Sequence, residues 1–169
     1  MTAIKRLYWL QSILLLGGTV FAWVTVWKDF SRFASFEGTI FKLSECVVPN
    51  PVLTPCFYGA FAFLIAFIWS LSILRRKEAG HRLPSQKKLR WLLVASVLFA
   101  WGNFGYVVYR FYAPHGDHKG CSGVYTSSPF VTPCFTGSVI FLATLVLALI
   151  LLAKERHGLS LMQNPTSPQ

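Results

Sequence analysis

Charged side chains are scarce in this sequence, and four long stretches contain none. Charged residues make up 13% of the chain, only 6 of them are acidic, and hydrophobic residues reach 54%. This balance excludes an ordinary soluble domain of similar length. The uncharged stretches cover residues 7–27, 57–74, 91–108 and 135–153. Each approaches the roughly 20 apolar residues that a helix needs to cross a bilayer core.

Other absences exclude classes of function. No ionisable residue lies in the middle of an apolar stretch, which argues against proton pumps and ion-coupled carriers. No cleavage site of the A-x-A kind follows the first stretch, so we interpret that stretch as a retained anchor and not as a signal peptide. The chain has no C-x-x-C motif. Its cysteine spacings do not fit zinc ligands, and we expect no metal.

The apolar stretches should be helices, because a bilayer core offers no water to unpaired backbone groups. We therefore predict an all-α integral membrane protein with a bundle of four transmembrane helices. The 16 Lys and Arg residues divide unequally between the two ends of the predicted helices. Eleven lie at the end that carries both termini, and five lie at the other end. The eleven are Lys5, Arg6, Arg75, Arg76, Lys77, Arg82, Lys87, Lys88, Arg90, Lys154 and Arg156.

This unequal division predicts cytoplasmic N- and C-termini in a bacterial inner membrane or a plasma membrane. The net charge of +10 is then a topology signal, with attraction to anionic lipid as a secondary effect. The bilayer is the expected partner, and nucleic acid is not.

A short motif occurs twice. Residues 51–59 read PVLTPCFYG and residues 129–137 read PFVTPCFTG, which agree at six of nine positions. Each copy opens an apolar stretch that ends in a basic segment. The repeating unit is therefore a helical hairpin, present twice in the same orientation. Parallel repeats of this kind are related by a pseudo-two-fold axis along the membrane normal.

We place the first hairpin repeat at residues 1–80, with an outer loop at 28–55. The second covers 81–158, with an outer loop at 113–133. Phenylalanines at helical spacing in the first outer loop favour either a short interfacial helix or a loop packed on the helix ends. The inner connector, 75–90, is expected to be a solvated loop. We expect residues 159–169 to form a disordered tail.

All four cysteines, Cys46, Cys56, Cys121 and Cys134, fall on the predicted outer side. That compartment is oxidising, so disulfides are expected. Four cysteines allow three pairings. The duplication favours pairing within each half, Cys46 with Cys56 and Cys121 with Cys134. The alternative joins Cys56 to Cys134 across the symmetry axis.

Each repeated motif predicts a specific helix start. Its threonine is a favourable N-cap, its proline suits the first helical position, and its cysteine then lies in the first turn. The residues are Thr54, Pro55 and Cys56 in the first repeat and Thr132, Pro133 and Cys134 in the second. Unpaired N–H groups and the helix dipole stabilise a thiolate there. Two interpretations follow: structural staples that are never reduced, or redox-active thiols.

Polar residues inside the stretches are few. Asn103 is the most polar one deep in the third stretch, between Trp101 and Tyr106. These three residues are typical of a close helix–helix contact, in which the side-chain amide of Asn103 forms a hydrogen bond to the neighbouring helix. They also suit a pocket for a ligand such as a quinone.

Four helices, inner termini and cysteine pairs on outer loops resemble the layout of the DsbB and vitamin K epoxide reductase families. That resemblance implies transfer of electrons from thiols to a quinone. Those families use a C-x-x-C pair, which is absent here, so no catalytic residues are carried over from them.

The sequence favours a non-catalytic membrane protein without a cofactor, because no catalytic constellation is evident. Its disulfide-stapled outer loops would serve as an interaction platform, or as part of an accessory subunit. The expected partner is another membrane or extracytoplasmic protein, or a second copy of the chain. The alternative is a quinone-linked thiol–disulfide oxidoreductase that uses the four cysteines. A small transporter or channel built from the two repeats is a weaker alternative.

The charge asymmetry gives a direct test of orientation. A reporter fused after Gln169, and one inserted near Pro84, should both behave as cytoplasmic, since basic flanks are retained on that side. Reporter activity in intact cells measures this. An extracytoplasmic signal from either position would contradict the predicted orientation.

Overall fold

Four long helices make up most of the chain. The structure, a computed structural model, describes residues 3–39, 49–76, 79–114, 118–121 and 123–163. The helices are α1 (Ala3–Glu37), α2 (Pro55–Arg75), α3 (Ala79–Tyr112) and α4 (Pro133–Gln163). Each contains a segment long and apolar enough to cross a membrane, which confirms the prediction of an all-helical chain with four helices of membrane-spanning length.

The helices form a bundle in which α1 and α3 each pack against both α2 and α4. Buried positions recur every three or four residues, as expected for one face of a helix. On α2, for example, Ala60, Phe63, Ala66 and Ser70 are buried. Small residues recur at these positions and allow the backbones to approach closely. We call the end of the bundle where α2 and α4 begin the cysteine end.

Helix α1 is longer than its apolar stretch. It continues to Glu37, through part of the segment expected as an outer loop from residue 28. Val26, Asp29 and Phe33 lie on one face of this extension and are all buried. Of the two alternatives for this loop, the described part up to Glu37 is helical, but as an unbroken continuation of α1 that is held by the packing of that face. Residues 40–48 lie outside the described part of the chain.

The connector at the opposite end is shorter than expected. Helix α3 begins at Ala79, so most of segment 75–90, expected as a solvated loop, is helical, and the boundary placed at residue 80 falls inside α3. The physical reason is burial of polar groups: Gln86 is fully buried, and its Nε2 donates to Gln11 Oε1 at 3.1 Å. Arg82 pairs with the buried Glu155 at 3.5 Å.

Helix α4 also exceeds its expected length. It runs to Gln163, into the segment expected to be disordered from residue 159. Pro165 is the first proline after Pro133, and proline is the residue that would stop a helix most strongly. Residues 164–169 lie outside the described part of the chain.

The centre of the bundle is an aromatic stack. The rings of Phe63 on α2 and Phe141 on α4 lie 3.7 Å apart and nearly parallel. Gly18 of α1 faces this pair. A Cβ at position 18 would lie 2.7 Å from Phe63 Cδ1 and 3.1 Å from Ile140 Cγ2. The absence of a side chain at Gly18 is therefore what lets α1 close over the stack.

Replacing Gly18 tests this packing. Gly18→Ala should lower the free energy of unfolding by about 1–3 kcal/mol, the usual cost of overpacking a core. Gly17→Ala is the matched control, because a Cβ there meets nothing within 4 Å and alanine is the better helix former. Thermal unfolding in detergent measures both. Equal stability of the two variants would contradict this account of the core.

Candidate active site

The two repeated motifs build the same local structure at the cysteine end. A short 3₁₀ turn precedes each helix, Pro51–Leu53 before α2 and Pro129–Val131 before α4. The first turn is capped by Asn50, whose Oδ1 accepts from Val52 N at 2.9 Å. The second is capped by Ser128, whose Oγ accepts from Phe130 N at 3.4 Å.

The threonines hold the predicted place but bond differently. Thr54 is extended and precedes Pro55 at the start of α2, yet its hydroxyl caps no helical N–H. It donates instead to Pro51 O at 2.7 Å. Thr132 donates likewise to Pro129 O at 2.6 Å. Each threonine therefore ties the helix start to the preceding 3₁₀ turn, which fixes where the following cysteine lies.

Three sulfur atoms meet at this end. Cys121 and Cys134 form a disulfide, as the sequence predicted. Cys56 has no disulfide partner among the described residues, and its Sγ lies 3.3 Å from Cys121 Sγ. All three sulfurs lie within 4.8 Å of one another. Cys46 lies outside the described residues, so the Cys46–Cys56 bond stays a prediction, and the alternative bond between Cys56 and Cys134 is not formed.

A tight turn in the second outer loop presents Cys121. Gly120 N donates to Val124 O at 2.7 Å, and Gly123 N donates to Gly120 O at 2.9 Å. Gly123 has a φ of +73° and lies against Pro49 of the other outer loop, so a side chain there would be strained and would clash. The two loops thus contact each other beside the sulfurs, and this contact brings Cys121 of the second repeat to Cys56 of the first.

The sulfur cluster borders an apolar cavity of about 50 Å³ between the four helices. Cys56 and Cys134 both form part of its wall, next to the small residues Gly59 and Gly137. The rest of the lining is mainly aromatic and aliphatic. It comprises Phe21, Ala22, Thr25, Pro55, Phe63, Phe99, Ala100, Asn103, Pro133, Ser138 and Phe141. A redox-active pair of sulfurs here would adjoin an apolar site inside the membrane-spanning bundle.

Trp101, Asn103 and Tyr106 on α3 were predicted to form a packing contact or a ligand pocket. One of these three residues reaches the cavity. Asn103 lines it, and its Nδ2 donates to Phe99 O at 2.7 Å. Trp101 and Tyr106 lie outside the lining, with 38% and 60% of their surface exposed. Trp101 lies about 200° round the helix from Asn103 and so points away from the cavity. Tyr106 shares a face with Asn103 but lies about one turn nearer the end of α3, beyond the lining.

A buried carboxylate was not singled out from the sequence. Asp29 is only 6% exposed, although it stands among the charged residues that follow the first apolar stretch. Asp29 lies three residues after Val26 and four before Phe33, and this helical spacing on an apolar face is the sequence signal that indicates its burial. A buried acid therefore lies on α1 next to Phe30, whose ring contacts Phe57 at the start of α2, and adds a proton-accepting group to this end of the bundle.

The arrangement suits sulfur chemistry better than metal binding. While the Cys121–Cys134 bond is formed, only Cys56 of the three offers a thiolate, and one thiolate is not a metal site. A thiol in contact with a disulfide sulfur is the starting geometry of thiol–disulfide exchange. Comparisons of the chain with protein-family models, with curated proteins and with solved structures give no match.

The contact between Cys56 and Cys121 predicts a second linkage. In Cys134→Ser, Cys121 should pair with Cys56, because these sulfurs are already 3.3 Å apart. Peptide mapping under non-reducing conditions after alkylation measures this. The matched control is Cys56→Ser, which should keep the Cys121–Cys134 bond. Two free thiols at Cys56 and Cys121 in Cys134→Ser, under oxidising conditions, would contradict the observed contact.

Proposed function

We propose that the chain is a membrane thiol–disulfide oxidoreductase whose reactive sulfurs are Cys56, Cys121 and Cys134. The observation that carries this proposal is the contact of Cys56 Sγ, which has no disulfide partner among the described residues, with the Cys121–Cys134 disulfide. The proposal takes Cys56 as a thiol and so replaces the expected Cys46–Cys56 bond. A bond that only stapled a loop would need no third sulfur beside it. The geometry therefore favours the redox alternative over the non-catalytic platform that the sequence favoured.

The exchange step follows from the positions of the sulfurs. The Cys56 thiolate attacks Cys121 Sγ, the Cys121–Cys134 bond breaks, and a Cys56–Cys121 bond forms. Cys134 leaves as a thiolate in the first turn of α4, where unpaired N–H groups and the helix dipole stabilise negative charge. The step moves a disulfide without net oxidation, so it needs no other reactant.

The two repeated cysteines thus have different states. Within the described part of the chain Cys134 is bonded and Cys56 is not, even though their local sequences agree at six of nine positions. A relay of electrons needs sulfur pairs that differ in reduction potential. The difference in bonding shows that the two sites are not equivalent, which supports such a relay.

The substrate we propose is a soluble dithiol protein on the cysteine side of the membrane. Its two thiols become a disulfide, and a disulfide of this chain becomes two thiols. Reoxidation of those thiols releases two electrons and two protons, and a quinone that takes up both becomes a quinol. We propose that the quinone ring enters at the apolar cavity, which has Cys56 and Cys134 in its wall. The cavity volume of about 50 Å³ is smaller than the roughly 150 Å³ that holds a benzene ring, so the helices must separate to admit a quinone.

The proposal includes the arrangement of the repeats. We propose that the hairpins are related by a pseudo-two-fold axis, with the cysteine end outside and both termini in the cytoplasm. The stack of Phe63 on Phe141 supports this, because these residues follow Cys56 and Cys134 at the same distance in sequence. Equivalent residues meet at a two-fold axis, and here they meet beside the cavity.

Quinone reduction by the reduced protein tests the function. Protein reduced with a phosphine and placed in nanodiscs should convert added ubiquinone-1 to quinol while a disulfide forms, one quinol for each bond. Gly137→Leu should slow this reaction about 10-fold or more, because a side chain at position 137 extends into the cavity beside Phe63. Absorbance of the quinone and peptide mapping give the two readouts.

Gly105→Leu is the matched control. Gly105 is exposed on α3, and a Cβ there meets nothing within 4 Å, so the variant should react like the unmodified protein.

The proposed function would be contradicted if the reduced protein gave no quinol and no mixed disulfide with a dithiol protein, and if Cys134→Ser were less stable. These results together would support the non-catalytic platform instead. A structural disulfide contributes about 2–4 kcal/mol to stability.

A further inference from the structure

Asp29 is a buried acid with one oxygen unused. The Oδ1 atom lies 3.3 Å from Nη2 of Arg32, one turn further along α1. The Oδ2 atom is buried and has no hydrogen-bond partner among the residues that the structure describes. Burying a carboxylate oxygen without a partner is costly. Such an oxygen is therefore suited to accept a proton.

Helix α1 holds Asp29 against the start of α2. The Phe30 ring meets the edge of Phe57, the residue after Cys56, at a centroid distance of 6.2 Å. Further along the same contact, Trp23 meets Phe61 at 5.3 Å. Asp29 directly precedes Phe30, and Cys56 directly precedes Phe57, so this ring contact places the acid and the thiol on neighbouring turns of α1 and α2 at the edge of the sulfur cluster.

Charge decides where the proton of Cys56 can go. If it left for water, a thiolate and a carboxylate would stand side by side in apolar surroundings, where like charges repel strongly. If it moves to Asp29, the pair keeps a single negative charge, now on sulfur. The second route yields the nucleophile without adding a charge to a buried site.

We propose that Asp29 is the proton acceptor for Cys56 in thiol–disulfide exchange. The proton of the Cys56 thiol passes to Asp29 Oδ2, and the thiolate attacks Cys121 Sγ. The Cys121–Cys134 bond then breaks, and the departing Cys134 thiolate takes the proton from Asp29, which restores the carboxylate and leaves the site with the charge it began with. Arg32 holds the other carboxylate oxygen and so positions the acid. This role rests on the proposed function, because it assigns a proton path to the same exchange.

The rate of alkylation of Cys56 tests the proposal. If Asp29 accepts the proton, removing its carboxylate slows alkylation, whereas if Asp29 acts only as a negative charge, removing it speeds alkylation. The full-length protein in nanodiscs is treated with iodoacetamide, and labelling of Cys56 is followed by mass spectrometry. Asp29→Asn should slow labelling about 10-fold or more, since general bases contribute factors of this order and above. Asp29→Glu, which keeps the carboxylate, should recover most of the rate. Glu37→Gln, a carboxylate change further along α1, is the matched control and should have no effect.

Labelling of Asp29→Asn as fast as the unmodified protein, or faster, would overturn the proposal. Asp29 would then act only as a negative charge that opposes the thiolate. If Asp29→Asn does not fold, as judged by circular dichroism, Asp29→Ser provides the same comparison. The samples are also mapped for the Cys56–Cys121 bond. Its absence from the unmodified protein would refute the exchange itself, whereas its presence with unchanged labelling in Asp29→Asn would refute only the role of Asp29.

Discussion

The need to satisfy every backbone group within a bilayer fixes where α2 and α4 begin, and the sulfur cluster depends on those two helix starts. Proline at the first helical position gives up an N–H that the helix would leave unpaired. The threonine hydroxyls bind the preceding 3₁₀ turns. Cys56 and Cys134 are therefore held at the same end of the bundle by backbone geometry. The Phe63–Phe141 stack then holds the two helices together below them.

This constraint explains why sulfurs distant in sequence can meet. Cys56 and Cys121 are 65 residues apart, and they come from different repeats. The tight turn around Gly123 and its contact with Pro49 bring the second outer loop over the start of α2. Once the helix starts are fixed, a short loop is enough to place Cys121 within reach of both Cys134 and Cys56. Asp29 reaches the same place because α1 does not stop at the end of its apolar stretch.

The parts of the fold governed by composition could be predicted from the sequence, and the parts governed by packing could not. Uncharged stretches locate the four helices because lipid excludes free backbone groups. The C-terminal end of α1 and the start of α3 were missed because Asp29 and Gln86 were interpreted as solvated polar residues, whereas both are buried. The Cys121–Cys134 bond followed from the duplication. The approach of Cys56 to that bond could not follow from it, since it depends on a contact between the two loops.

The distribution of disulfides in the unmodified protein tests the central claim most directly. Membranes are quenched with acid and a rapid alkylating agent, then digested without reduction, and the linkages are counted by mass spectrometry. A three-sulfur exchange site predicts that Cys121 is found bonded to Cys134 in some molecules and to Cys56 in others. The ratio of the two should shift when a dithiol reductant is added in small amounts. A single Cys121–Cys134 linkage, unchanged by that reductant while Cys56 stays inert, would contradict the account.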